Sequence, residues 1–306
     1  MPKHGLHMLV CSRFVGELNL YMKGMDKLRE KLPAYPGKRL AILPLRALLT
    51  GILGYAFLII LSLIPRFFPG NYFLWAIEPV LPLVGSVLLA AFALWLIWGL
   101  WNKRVEMKER YGDLAYQKMI NRGLSGVFLI PSIVFLAFTL GRSFPTISPV
   151  NPITTQWSTS ILDLMGDPLG MELWIRMVLS FIFLVLGMLT LRAALFTFGL
   201  DYMAVVYLFF PEESEVQQHE IYSVIRHPAY LSGVLLSAAG LFFRFSVYSI
   251  LLFLLVYLVF RLQIWKEEKE LVERFGEGYN EYRKSVPAFL VRPSKMKAYF
   301  RFLKPD

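Results

Sequence analysis

The sequence predicts an all-α integral membrane protein with about six transmembrane helices, and three observations carry that reading. Hydrophobic residues make up 56% of the 306-residue chain and charged residues only 18%. Mean hydropathy is +0.52, more apolar than a soluble core of this length requires. Several stretches long enough to cross ~30 Å of hydrocarbon run almost without charge. Lysine and arginine are also distributed very unequally among the segments between those stretches. Together these features exclude a disordered chain, a secreted disulfide scaffold and a cytosolic enzyme. Cys11 is the single cysteine, so an internal disulfide and a cysteine-based zinc site are both excluded.

The spans are expected at 45–64, 73–101, 123–140, 174–200, 228–243 and 245–265. The second carries Glu78 near its outer end, and the fifth is short for a full crossing. The last two read as a helical hairpin that turns near Arg244. Residues 203–210 are apolar but too short to span, which predicts an interfacial or re-entrant segment. The first long apolar run begins near residue 40, after a stretch rich in Lys and Arg. That is the wrong order for a cleaved secretion signal.

Charge then sets the orientation. Nine Lys/Arg fall in residues 1–46, six in 102–122 and eleven in 261–306. The loops at 65–72 and 141–170 carry one each, Arg66 and Arg142. The positive-inside rule puts both termini, the 102–122 loop and the 201–227 segment on the cytoplasmic side. A net charge of +10 in such a chain points to anionic lipid rather than nucleic acid. Two parts are expected: residues 1–122, a basic segment plus a two-span unit, and residues 123–306, a four-span unit with a charged C-terminal helix. Glu78 and Arg176 sit near span ends, where snorkelling or pairing accounts for them. His4 and His7 read as parts of a mobile terminus, and Cys11 as an inert thiol.

Polar chemistry concentrates in Glu220-Ile-Tyr222-Ser-Val-Ile-Arg226-His227-Pro228-Ala229-Tyr230-Leu-Ser-Gly233. Proline suits the first turn of a helix, where its missing N–H would lack a partner anyway. Pro228 therefore marks the cytoplasmic start of the fifth span. The free N–H groups of that end suit a carboxylate. The sixth span returns to the same level with Arg261-Leu-Gln263-Ile-Trp265-Lys266-Glu267-Glu268. A hairpin of these lengths brings Glu267 and Glu268 beside His227 and Tyr230. Arg261 and Glu268, seven apart, are expected to share one helix face. One pocket at the membrane surface thus collects a basic pair, an aromatic hydroxyl and a carboxylate pair. The plain alternatives are positive-inside anchors at Arg226 and His227, an interfacial tyrosine at Tyr230 and a solvated helix over 267–281.

The run Arg226-His227-Pro228-x-Tyr230 resembles the signature of membrane-embedded methyltransferases, the family that includes isoprenylcysteine carboxyl methyltransferase and the phospholipid N-methyltransferases. Glu267-Glu268-x-x-Leu271, Phe275-Gly276-x-x-Tyr279-x-x-Tyr282 and Val286-Pro287 resemble its closing segment. The likeness covers roughly residues 185–292 and does not extend to residues 1–120. It implies S-adenosylmethionine as methyl donor, bound at the cytoplasmic edge, and a lipophilic acceptor (a prenylated cysteine or a lipid) arriving from the bilayer, with no metal and no nucleic acid. Carried over, Tyr222, His227, Pro228, Ala229, Tyr230 and one of Glu267 and Glu268, taken as Glu267, would bind the donor. Arg261 and Glu268 would then serve the reaction itself. Several positions depart from the family pattern: Glu220-Ile221 stand where it has Gly-Pro, and Ser232 stands where it has Gly. Gln263 or Ile264 stands where the carboxyl methyltransferases have an acceptor-binding arginine.

Methyl transfer from a sulfonium needs alignment and exclusion of water more than acid–base chemistry. Tyr222 and Tyr230 could face the cationic sulfur with their rings, and a glutamate could take the donor's ammonium or ribose hydroxyls. A carboxylate acceptor needs only a cation such as Arg261 to hold it, whereas an amine acceptor needs a base. The expected activity is carboxyl O-methylation of an isoprenylcysteine type. Its rivals are a phospholipid amine or thiol acceptor, an NADPH-dependent sterol-type reductase and a non-catalytic lipid-binding scaffold.

Overall fold

The computed structural model describes residues 23–140, 147–166, 172–213 and 215–304. His4, His7, Cys11 and Arg142 lie outside them. The elements used below are α1 (Met25–Glu30), α2 (Ile42–Phe67), α3 (Tyr72–Ile77), α4 (Leu81–Asn102), α5 (Arg104–Tyr111), α6 (Ala115–Thr139), α7 (Glu172–Phe198), α8 (Pro228–Arg244), α9 (Val247–Ser285) and α10 (Met296–Leu303). No strand occurs among the described residues. The protein is an all-α membrane protein. Among the described residues, five helical stretches are long and apolar enough to cross a bilayer, and α8 is a shorter apolar helix of 17 residues.

The boundaries differ from expectation where backbone chemistry intervenes. The expected continuous span over 73–101 is broken into α3 and α4 by a turn at Glu78-Pro79-Val80. Pro79 and Pro82 have no N–H to donate, and the turn closes through i−3 bonds from Val80 to Ile77 and from Leu83 to Val80. The third span begins earlier than expected, at Ala115, so α6 runs unbroken through residues 122 and 123. The sixth continues well past Trp265 to Ser285. Within it Gly276 has φ 58° and ψ −131°, a conformation open to glycine, so the helix breaks there and the chain folds back.

Close approach by small residues holds the spans together, as expected where lipid removes the hydrophobic drive between helices. A Cβ on Gly51 would lie 2.8 Å from the Phe128 carbonyl oxygen, and one on Gly126 equally close to that of Ala93. The most extensive helix pair is α7 with α8, where Ser180 donates to the Ala239 carbonyl (2.9 Å). At one end of the bundle Glu78, almost fully buried, accepts from Arg66 Nε (3.0 Å) and from the backbone N–H groups of Val150 (3.0 Å) and Asn151 (2.7 Å). Nearby, Arg176 donates to Glu172 (2.9 Å) and to the Phe243 carbonyl (2.6 Å). Glu78 and Arg176 are therefore paired. The other end, called the basic end below, carries α5, the 199–227 segment and the last part of α9.

Candidate active site

At the basic end, Pro228 opens α8 with His227 as the residue before it. The His227 N–H donates to the Ala288 carbonyl (3.2 Å) and the Arg226 N–H to that of Pro287 (3.0 Å). The chain after α9 therefore lies against the mouth of α8. Tyr282 reinforces this by donating to the Tyr222 carbonyl (2.6 Å). The ring of His227 stacks on Tyr230 (5.5 Å, 11°), and Tyr230 stacks on Phe260 (5.5 Å, 27°).

The two adjacent glutamates of α9 meet different neighbours. Glu268 Oε1 accepts from Arg226 Nε (2.9 Å) and Nη2 (2.6 Å), and His227 Nε2 lies 3.1 Å from the same oxygen. Arg283 Nε is 3.5 Å from the other oxygen. Glu268 is thus a clamp that ties α9 to the start of α8. Glu267 accepts from Tyr207 (2.9 Å) on one oxygen and from Tyr230 (2.7 Å) on the other. His227 Nδ1 lies 3.8 Å away. Both hydrogen-bond partners of Glu267 are neutral phenols, so its negative charge is positioned without being neutralised by a guanidinium. Burial first, then the neighbouring Glu267 carboxylate, pushes the Tyr207 phenol well above its ordinary range. Tyr207 therefore donates rather than ionises.

Glu267 faces a cavity of about 570 Å³. Tyr207, Tyr222, His227, Pro228, Ala229 and Tyr230 line its polar end, so the structure assembles all six expected donor-site residues around one space together with the unexpected Tyr207. From there the cavity runs between α6 and α7 along an apolar wall. Phe135, Leu184 and Met188 line it and are exposed. The volume falls within the range of small-molecule sites.

Two expected catalytic residues lie elsewhere. Glu268 does not line the cavity, because Arg226 and His227 occupy its carboxylate. Arg261 is exposed and also outside the lining. It does share a stripe with Glu268, but seven residues place it about 10 Å further along the axis. The cover provided by Arg226 and His227 does not bury it there. Gln263 is buried instead, accepts from the Trp98 indole N–H (3.0 Å) and lines the cavity between Phe260 and Glu267. No group of three or more His, Cys, Asp or Glu that could hold a metal occurs among the described residues.

The Isoprenylcysteine carboxyl methyltransferase (ICMT) family model matches residues 178–273, the stretch that contains α8 and both glutamates. This part of the chain is similar to the ICMT family. The chain is also similar to Protein-S-isoprenylcysteine O-methyltransferase A of Arabidopsis thaliana, at 25% identity over 190 residues, covering 59% of this chain and 96% of the relative. No solved structure matches. The ICMT-type region thus starts in α7 and ends in α9, while α1 to α6 lie before it.

Proposed function

We propose that the protein is an S-adenosylmethionine-dependent methyltransferase that esterifies the carboxylate of a prenylated cysteine at the membrane surface. The observation that carries this reading is the placement of Glu267, an unneutralised carboxylate between two phenols, at the polar end of a cavity whose other end is apolar and open to the side of the bundle. That polar end suits a ligand carrying both an ammonium and a sulfonium. S-adenosylmethionine supplies, when bound, an electrophilic methyl on a sulfur that leaves as a neutral thioether.

In this reading Glu267 takes the cationic amine or the ribose hydroxyls of the donor. The start of α8, opened by Pro228, offers the N–H groups of Ala229 and Tyr230 to the donor's carboxylate. Tyr222 and Tyr230 present ring faces to the sulfonium, a contact of roughly 0.5–2 kcal/mol. The prenyl chain lies along the wall that includes Phe135, Leu184 and Met188, so that its carboxylate reaches the polar end. The acceptor oxygen then attacks in line, the carbon–sulfur bond breaks toward sulfur, and no proton is transferred. The protein's contribution is alignment and exclusion of water. The positive-inside distribution of Lys and Arg supports a cytoplasmic location for this site and for both termini. The division into residues 1–122 and 123–306 is proposed as one of ancestry, since the ICMT match lies wholly in the second part.

The test is calorimetric titration of the detergent-purified protein with S-adenosylhomocysteine, with NADPH in parallel, followed by methyl transfer to a prenylated cysteine bearing a free carboxylate. Saturable binding of the homocysteine product and esterification of that acceptor are expected. Binding of NADPH alone would replace the proposal with a reductase, and binding of neither with a scaffold. Donor binding with transfer only to an amine lipid or a thiol would keep the class and change the acceptor.

A further inference from the structure

Tyr207 reaches Glu267 from a turn that local preference does not favour. Val205, a β-branched residue, sits at φ 54° and ψ 34°, the left-handed region such residues avoid. A residue held there persists only where its surroundings over-determine it, and such positions cluster at functional sites. Two sets of contacts hold this turn. Tyr116 of α6 donates to the Ala204 carbonyl (3.0 Å) and meets the rings of Phe209 and Phe210 edge-on (5.8 and 6.5 Å). Arg274 of α9 donates to the Tyr207 carbonyl (3.0 Å), with its guanidinium 5.3 Å from that residue's ring centre. Arg274 also donates to Glu270 (2.8 Å), and Glu270 is in turn paired with Arg104 at the start of α5.

A continuous chain of contacts therefore runs from Arg104 through Glu270, Arg274 and Tyr207 to Glu267. We propose that Arg104 and Arg274 are positioning residues for the donor site, acting through the Tyr207 hydroxyl on the Glu267 carboxylate. The α5 segment, which precedes the ICMT-type region, is on this account part of the working site. The physical reason is competition for Glu267. Without the Tyr207 hydroxyl, one oxygen loses its only hydrogen-bond donor, and His227 Nδ1 lies 3.8 Å from the other. Rotation toward the imidazole would turn the carboxylate out of the orientation that the two phenols hold.

This inference rests on Glu267 as the donor's ligand. The experiment measures S-adenosylhomocysteine affinity of the full chain for wild type, Tyr207→Phe, Arg104→Ala, Arg104→Lys and the double variant Arg104→Ala/Tyr207→Phe. Tyr207→Phe and Arg104→Ala are each expected to weaken affinity about tenfold, the scale of one hydrogen bond to a charged group. Arg104→Lys should recover part of that loss, and the acceptor KM should not move. The double variant should bind no more weakly than Tyr207→Phe alone, because both changes act on one contact. Wild-type affinity in Arg104→Ala, or losses that add in the double variant, would overturn the proposal. Arg104→Gln carries the same test if the alanine chain does not fold. Absence of binding by wild type would instead overturn the donor reading, and this inference with it.

Discussion

Both ends of the helix bundle bury ionised side chains, yet they use them differently. Glu78 and Glu172 each meet a guanidinium, with further bonds from backbone N–H groups at Glu78 and from the Ser160 hydroxyl at Glu172. Those charges close loops against span ends. At the basic end the same solution appears at Glu268, clamped by Arg226 and His227. One residue earlier, Glu267 has only phenol donors and a cavity in front of it. If Glu267 binds the donor as proposed, burial of a charge does not distinguish a working group from a structural one in this protein. The partner does: a carboxylate held by neutral donors remains able to bind a cation, and one held by arginine does not.

That contrast can be broken by exchanging the roles. Glu267→Gln keeps the size and removes the charge, its amide retaining one accepting oxygen and replacing the other with a donor, so it should weaken S-adenosylhomocysteine binding about 100-fold, the upper scale of a hydrogen bond to a charged group. Its thermal midpoint should stay near that of wild type, as differential scanning fluorimetry would report. Glu78→Ala should do the opposite. Removing one partner of a buried pair leaves the other charge uncompensated, a loss of about 3–5 kcal/mol, while product affinity in the folded fraction is unchanged. Glu268→Ala should likewise destabilise first, and its effect on affinity should shrink as temperature is lowered. If Glu268→Ala lost binding while retaining its wild-type midpoint, the division of labour between the two glutamates would be wrong. Tyr230→Phe removes one of two donors to Glu267 and should weaken binding about tenfold, measured by the same titration. Smallest of all, Arg261→Ala should change turnover less than twofold, as for exposed positions away from structural features. A larger fall in a methyl-transfer assay would return Arg261 to the acceptor site.

Much of this arrangement was legible before any coordinates. The hairpin that joins His227 and Tyr230 to Glu267 follows from two apolar runs of matched length, with proline at one mouth and glutamates at the other. Helical periodicity could not choose between Glu267 and Glu268, since adjacent residues point about 100° apart and only the neighbouring chain decides which is covered. Arg261 shares the stripe of Glu268, as expected, but that stripe leaves it exposed and outside the cavity lining. Tyr207 carried no signal at all in the sequence. It reaches the site through an irregular turn with a left-handed valine, and no periodic pattern predicts such a turn. The expected span over 73–101 read through Pro79 and Pro82, where the chain breaks, and the pairing of Glu78 with Arg66 and with the backbone at 150 and 151 depended on a long-range approach.

The cavity that opens between α6 and α7 changes what concentration means for this protein. An acceptor carrying an isoprenoid of about fifteen carbons would need on the order of 10 kcal/mol to pass through water, at ~0.8 kcal/mol per buried CH₂. A sideways entrance from the bilayer removes that step. The enzyme then samples its acceptor in two dimensions, and the variable that sets its rate is the mole fraction of acceptor in the membrane. Diluting the bilayer with inert lipid at constant bulk acceptor should slow turnover as strongly as withdrawing the acceptor itself.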